Sequence, residues 1–457
     1  MVLIKSISGI RGTIGGKVGD SLTPLDIVRY TAAYASWIKK VNSDNKVIIV
    51  GRDARISGDL VNGIVCNTLI SSGLDVINLG LSTTPTVEIA VQMEKSAGGI
   101  VITASHNPKN WNALKLLNSE GEFLSEQSGK EVLELADSNC FSFEEVENLG
   151  IYKDDYSYNS KHIDRILKLP FVNINAIRRA NFKVVLDAVN STGGIIIPEL
   201  LEALGVECIK IHCNPNGEFA HNPEPLGKHL MDLSKKVVSE KAHLGIAVDP
   251  DVDRLAFVCE DGSMFGEEYT LVAISDLILS KNLGNTVSNL SSTRALKDIT
   301  LKHGGNYYAS AVGEVNVVKK MKETNAVIGG EGNGGVILPD LHYGRDALVG
   351  VALFLTSLAE KEIQCTKLKA AFPEYYIVKK KIESNLDINR IFNFLEKKHK
   401  DEYITKTDGL KIDFKGKWVH LRKSNTEPII RIYAEAKNKA EANEMIETIF
   451  TDIKKLI

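Results

Sequence analysis

The chain has 457 residues, 44% hydrophobic and 25% charged, an ordinary balance for a folded protein of several domains. Its 55 Lys and Arg against 58 Asp and Glu give a formal net charge of −3, which argues against a dominant nucleic-acid surface. Six scattered cysteines with no CxxC pair speak against a disulfide framework or a zinc site, and no apolar run reaches the length of a membrane span. Met1-Val2-Leu3-Ile4-Lys5 enters motif-like sequence without a signal peptide, so a cytoplasmic protein is expected.

Residues 1–155 read as a first α/β unit. Ser8-Gly9-Ile10-Arg11-Gly12-Thr13 reads as a loop that presents the Arg11 guanidinium either to an oxyanion or simply to solvent. Residues 47–50 and 76–79 have strand character, and a helix is expected over 60–71. Pro85 in Ser82-Thr83-Thr84-Pro85-Thr86 marks the start of another helix. Gly98-Gly99-Ile100-Val101-Ile102 has the length and β-branching of a buried strand. It delivers Thr103-Ala104-Ser105-His106-Asn107-Pro108 to the sheet edge, where α/β folds bind ligands. Ser105 is the candidate nucleophile, although Ser, Asn and Pro also build ordinary turns. Lys115 either reaches the same place or stands exposed on its strand.

A second α/β unit is read over 156–262. Residues 183–187 form a strand ending in an acid, Ser191-Thr192-Gly193-Gly194 opens a helix, and 215–225 make a polar connection. Residues 244–248 then run into Asp249-Pro250-Asp251-Val252-Asp253-Arg254. In an extended loop the three alternate carboxylates converge on one side, and such hard anionic oxygens suit Mg2+. The glycine and downstream glutamate of an EF-hand are missing at the right spacing; a solvated acidic turn is the plain alternative.

The third α/β unit covers 263–368. Residues 326–328 lead into a glycine-rich loop, 329–335, where Glu331 and Asn333 offer side chains and the glycines permit positive φ. His342-Tyr343-Gly344-Arg345-Asp346 precedes an expected amphipathic helix through Leu358. Residues 369–457 form a smaller α+β domain whose last helix is expected over 439–455. Its stretch Arg422-Lys423-Ser424-Asn425-Thr426 sets a guanidinium, hydroxyls and an amide within five residues, with Arg431 across the following strand. These groups can surround a phosphate with charge-assisted bonds, or merely make a turn with a capping serine. The order strand, polar or glycine loop, helix recurs along the chain without a fixed period.

Taken together, the serine, aspartate, sugar-loop and phosphate-loop stretches resemble the α-D-phosphohexomutase family, in family order over essentially the whole chain. The resemblance implies three similar α/β domains and a smaller fourth around a central cleft. It implies interconversion of hexose or hexosamine 6-phosphate and 1-phosphate through a phosphoserine and a 1,6-bisphosphate. By it, Ser105 carries the phosphoryl group, and Asp249, Asp251 and Asp253 ligate Mg2+ with a phosphoserine oxygen. Arg11, Lys115 and Arg254 stabilise charge, Glu331 and Asn333 meet the sugar, and Arg422, Ser424, Asn425, Thr426 and Arg431 hold the phosphate that is not transferred. Many relatives carry Ser-Gly-His after the glutamate; Glu331-Gly332-Asn333-Gly334-Gly335 looks instead like the phosphoglucosamine mutase branch, with glucose or mannose phosphate as the close second. The loop histidine is absent, and Glu314 stands where some relatives have another, leaving Lys115 and Glu314 for proton transfer. A sugar phosphatase is the alternative enzyme class. The implied partner is a small-molecule sugar phosphate, with no nucleic acid or membrane, and the chain is expected to be a monomer or homodimer.

Overall fold

The computed structural model describes residues 2–6, 9–383, 387–423 and 429–454. The chain divides into two compact units: residues 1–270 with 333–368, and residues 271–332 with 369–457.

The first unit holds two sheets. The seven-stranded one has the order Leu3–Ser6, Gly9–Thr13, Trp111–Leu117, Gly98–Ile102, Val47–Arg52, Asp75–Leu81, Tyr152–Asp154. Gly98–Ile102 runs parallel to Val47–Arg52 and antiparallel to Trp111–Leu117, and it is buried along its whole length. Its β-branched side chains explain this, because both faces are covered. Ile100 and Ile102 pack with Tyr34, Ile38 and Leu69 on one side, while Val101 packs with Val87 and Val91 on the other. Each such side chain contributes about 1.5–3 kcal/mol by leaving water. The strand therefore has a fixed end, and the serine loop starts from a rigid edge.

The helix Thr84–Glu94 begins as its sequence predicts, with Thr83 Oγ1 accepting from the Thr86 amide at 3.1 Å and Pro85 in the first turn. Arg11 corrects its expectation: it lies in the strand Gly9–Thr13, opposite Ala113, and not in a loop. The flanking glycines suggested a loop, but Gly12 is there for close packing. A Cβ on it would meet the Val2 carbonyl oxygen at 2.7 Å and the Leu22 nitrogen at 2.9 Å.

The second sheet has the order Leu255–Cys259, Leu244–Val248, Lys183–Asp187, Glu207–Ile211, with only the first pairing antiparallel. The aspartate stretch is the short connection between Leu244–Val248 and Leu255–Cys259. Beside this sheet runs the helix Ala347–Lys361, and here the expected amphipathic pattern is wrong. Every residue from Ala347 to Ala359 is buried, because the helix is surrounded by other elements of the unit. Phe354 stacks on Phe257 with ring centroids 3.7 Å apart and meets Phe265 edge-on. Asp346 caps the helix, its Oδ1 accepting from the Leu348 amide at 2.8 Å.

In the second unit, strands Tyr307–Ser310, Asn285–Asn289 and Ala326–Glu331 lie side by side in that order, all parallel. The strand runs on through Gly329, Gly330 and Glu331, which were expected in a loop. A Cβ at Gly329 would collide with the Met321 side chain and stand 2.9 Å from the Val287 carbonyl oxygen. Close approach of the helix Glu314–Thr324 requires glycine at Gly329, while the expected positive φ is found at Gly330 (157°) and Gly334 (83°). A five-stranded antiparallel sheet follows, in the order Tyr376–Glu383, Ile429–Ala436, Lys417–Lys423, Leu410–Phe414, Tyr403–Thr405. Ile391 and Leu395 of Ile388–Lys398, with Ile446 and Ile449 of Lys439–Lys454, close its core against Val419, Leu421 and Ile432. No helix among the described residues is long and apolar enough to cross a membrane.

Candidate active site

The strand Gly98–Ile102 is followed by Thr103, whose hydroxyl donates to Asp53 Oδ2 at 2.6 Å and accepts from the Ser105 amide at 2.9 Å. Ser105 itself is held at φ 48°, in the left-handed region that a side-chain-bearing residue occupies rarely. Arg55 holds it there. This arginine is 1% exposed, and all five of its guanidinium N–H groups are used. Nε donates to Asp53 Oδ2 at 3.0 Å; Nη1 donates to the carbonyls of Pro108 (2.6 Å) and Trp111 (3.0 Å). Nη2 donates to those of Ser105 (2.5 Å) and Asn107 (2.7 Å). The serine loop is thus wrapped around one buried cation. Sequence reading passed over Arg55; the available signal was Asp53-Ala54-Arg55 directly after a buried strand.

The Ser105 hydroxyl donates to Asp249 Oδ2 at 2.7 Å. His106 lies beside it, with Nδ1 3.4 Å from Ser105 Oγ and Nε2 3.5 Å from the Arg254 guanidinium, both long contacts. Burial, reinforced by Arg254, pushes the His106 ring down to about 2, so it is neutral. An arginine only donates, so Nε2 is the accepting nitrogen and Nδ1 carries the proton.

Asp249, Asp251 and Asp253 are each 0% exposed, and one oxygen from each lies within 4.8 Å of the others. Their convergence comes from a turn and not from the extended alternation expected. Val252, a β-branched residue, sits at φ 62°, and its amide donates back to the Asp249 carbonyl at 3.1 Å. Such a conformation persists only where its surroundings enforce it, and functional sites collect it. Asp249 Oδ1 accepts from the amides of Asp253 (3.2 Å) and Arg254 (3.1 Å). Asp251 Oδ2 accepts from Lys115 Nζ at 2.7 Å and Thr84 Oγ1 at 2.6 Å, and Asp253 Oδ2 from Arg345 Nη2 at 2.6 Å. Thr84 and Arg345 are further site residues that sequence reading did not single out.

The electrostatics follow from this crowding. Burial, with Asp251 and Asp253 adding, raises the Asp249 carboxyl well above its ordinary range. Burial also opposes charge on Asp251, but Lys115 outweighs it and holds that carboxylate low. Burial works against the Lys115 ammonium as well, and Asp251 and Asp253 together raise it above its usual value. Lys115 thus stays protonated. Asp251 Oδ1 and Asp253 Oδ1 remain buried with no hydrogen-bond donor. Leaving anionic oxygens dry and unpaired is costly, and a hard divalent cation taking oxygen ligands removes that cost. The three aspartates could hold a metal ion.

Arg254 reaches Glu224 at 3.2 Å. Arg11 is pushed down by burial and by the nearby positive charge of Arg254, so two guanidiniums share this neighbourhood. Asn333, in the same unit, turns its Oδ1 onto the Gly335 amide at 3.1 Å.

The other expected residues belong to the second unit. Glu331 ends its strand buried, with Oε1 accepting from Asn289 Nδ2 at 2.8 Å and the Gly313 amide at 3.0 Å. Glu314 follows at the start of the helix Glu314–Thr324. Arg422 and Arg431 are direct cross-strand partners, and Arg422 Nε sits 2.8 Å from Asp408 Oδ2. Arg431 is exposed. Ser424, Asn425 and Thr426 lie outside the described residues.

Four family models match in succession. They are the phosphoglucomutase/phosphomannomutase alpha/beta/alpha domains I (residues 4–142), II (160–262) and III (265–376), and the C-terminal domain (374–451). A relative from Thermococcus kodakarensis named phosphoglucomutase/phosphomannomutase is 34% identical over 445 residues, 95% of this chain and 96% of its own. One from Methanopyrus kandleri named probable phosphoglucosamine mutase is 31% identical over 98% of this chain and 96% of its own. Among solved structures, a phosphoglucomutase/phosphomannomutase family protein from Burkholderia thailandensis superposes with a TM-score of 0.85 at 24% identity, covering 99% of this chain and 98% of that one.

Proposed function

We infer the reaction of this chain, which belongs to the phosphoglucomutase/phosphomannomutase family and is a phosphohexomutase, from what its own residues can do. The observation that carries the reading is the Ser105 hydroxyl 2.7 Å from Asp249 in a buried triad with two undonated carboxylate oxygens. Ser105 Oγ carries the phosphoryl group. Asp249, Asp251 and Asp253 would hold Mg2+ with an oxygen of that group, and the ion would supply charge neutralisation as the phosphoryl moves.

A sugar monophosphate binds with its own phosphate on Arg422 and Arg431, helped by Ser424, Asn425 and Thr426, and its hydroxyls on Glu331 and Asn333. The sugar hydroxyl attacks phosphorus, the bond from phosphorus to Ser105 Oγ breaks, the hydroxyl proton passes in net to Ser105 Oγ, and Lys115, Arg254 and Arg11 offset the charge that develops. The resulting 1,6-bisphosphate reverses in the site, and its other phosphate returns to Ser105. Lys115, held as an ammonium by Asp251 and Asp253, is suited to donate a proton or a hydrogen bond and not to act as the base.

Glucosamine phosphate is the first choice of substrate, on two grounds: the sequence Glu331-Gly332-Asn333-Gly334-Gly335 and the relatives named phosphoglucosamine mutase. Glucose and mannose phosphates come second. The test is incubation of the protein and of Ser105→Ala with Mg2+, a catalytic amount of 1,6-bisphosphate and each monophosphate in turn. Isomerisation together with a phosphate on Ser105 by intact mass is the expected result, and Ser105→Ala shows neither. Release of inorganic phosphate without isomerisation would make the protein a phosphatase. Turnover of the alanine variant at the wild-type rate would remove Ser105 as carrier.

A further inference from the structure

A second cluster of metal-ligand type lies in the first unit, away from the aspartate turn in sequence. Asp187 closes the strand Lys183–Asp187, His212 follows the neighbouring parallel strand Glu207–Ile211, and His221 sits in the connection beyond. Asp187 Oδ2 is 3.0 Å from His212 Nδ1 and 3.0 Å from His221 Nε2, and the three atoms lie within 4.8 Å of one another. Asp187 is 1% exposed, and its Oδ1 is already committed to the Val189 amide at 3.0 Å. The oxygen facing the two rings is therefore the one left for a ligand.

At His221 the protein's own hydrogen bonds close only if the ring carries two protons. Its Nδ1 is 2.8 Å from the carbonyl of Asn222, which only accepts, so Nδ1 carries a proton. A neutral ring then turns a bare Nε2 lone pair on the Asp187 oxygen. Either the ring is a cation, or a cation sits between the two atoms. A ring whose far N–H donates to a backbone carbonyl is the usual outer arrangement of a metal-bound histidine, because it fixes the tautomer. Zinc bonds of about 2.0–2.1 Å set tetrahedral ligand atoms roughly 3.3 Å apart; each ring nitrogen stands 3.0 Å from the Asp187 oxygen, and the two nitrogens lie within 4.8 Å of each other.

We propose that Asp187, His212 and His221 form a binding site for a borderline divalent transition metal of the Zn2+ type, separate from the aspartate triad. Two imidazole nitrogens and one carboxylate leave a fourth position for water, and such a donor set disfavours Mg2+. The cysteine spacing carries no sign of it because no cysteine takes part. The metal ties down the connection that starts at His212. That connection reaches the residue that holds the serine loop: the Arg55 guanidinium lies 5.0 Å from the centre of the Phe219 ring. Its role is structural, holding the wall behind Arg55 in place.

The test is a Co2+ titration of the full-length protein in saturating Mg2+, read by visible absorption, followed by competition with Zn2+. One Co2+ per chain is expected, with the intense d–d bands of four-coordinate geometry, displaced by Zn2+ and not by Mg2+. His221→Gln should weaken that binding at least a hundredfold, while Asp251→Asn leaves it unchanged. Because His221→Gln can also loosen the loop, the wild-type titration stands by itself. No band in wild type, binding displaced by Mg2+, or binding lost in Asp251→Asn but kept in His221→Gln would each overturn the proposal, leaving an imidazolium–carboxylate pair.

Discussion

Arg55→Lys should loosen the serine loop without touching any group in the transfer itself. The arginine donates five hydrogen bonds, one to Asp53 and four to the carbonyls of Ser105, Asn107, Pro108 and Trp111. A lysine has three N–H groups on one atom, so at least two of those acceptors lose their donor in a site that excludes water. At about 1–3 kcal/mol for each unsatisfied buried group, the loss is about 2–6 kcal/mol. Much of it falls locally, since four of the five acceptors belong to residues 105–111. Hydrogen exchange read by mass spectrometry on peptides spanning 98–117 is the assay, with the thermal midpoint alongside. Exchange in 103–111 should speed by at least tenfold, and phosphorylation of Ser105 by excess 1,6-bisphosphate should slow. Wild-type exchange in that peptide, together with an unchanged midpoint, would refute the claim that Arg55 holds the loop.

Asp251→Asn should weaken Mg2+ binding and cut kcat at least tenfold with little change in KM, checked by metal titration and steady-state kinetics, since its charge acts on the reacting end. Arg422→Lys should do the reverse, raising KM on the order of tenfold to a hundredfold while phosphate still loads onto Ser105, because a charge-assisted contact is worth roughly 1.5–3 kcal/mol. His342 supplies a pH dependence. Burial opposes its charge, but Asp346 and Glu88 outweigh burial and raise it to about 9. A folded value above the unfolded one means that this stabilisation is complete below about pH 6.5 and fades as pH rises through about 9, to a total of about 3 kcal/mol. The thermal midpoint of wild type should therefore drop more between pH 7 and 9.5 than that of His342→Gln; parallel profiles would remove the effect.

Much of the site could be read from the sequence because its chemistry sits in short runs at strand ends. Gly98–Ile102 and Leu244–Val248 begin and end where their apolar runs and the following polar residues say they should, and Ser105 and the aspartate turn follow from those ends. What escaped is whatever depends on distant partners. Thr84, Arg55 and Arg345 look like turn and surface residues until the fold brings Asp251, the serine loop and Asp253 to them. Arg11 was mistaken for a loop residue because glycine serves close strand packing as readily as it serves turns. The helix Ala347–Lys361 defeats amphipathic reasoning for a simple cause: a helix enclosed on every side has no polar face to repeat.

The pairing of Asp253 with Arg345 has a consequence for how the protein is made. The two lie 92 residues apart, and residues 271–332, which belong to the other unit, are synthesised between them. A nascent chain that has just released Asp253 from the ribosome has gathered all three carboxylates but lacks one of the cations that balance them. It also lacks Asp346, and with it the acceptor on which the buried His162 ring rests at 2.9 Å. A buried ion pair missing one partner costs about 3–5 kcal/mol, enough to keep this unit open until its last segment arrives. A product of interrupted translation that ends before Arg345 therefore lacks the partner of Asp253 and the partner of His162 together.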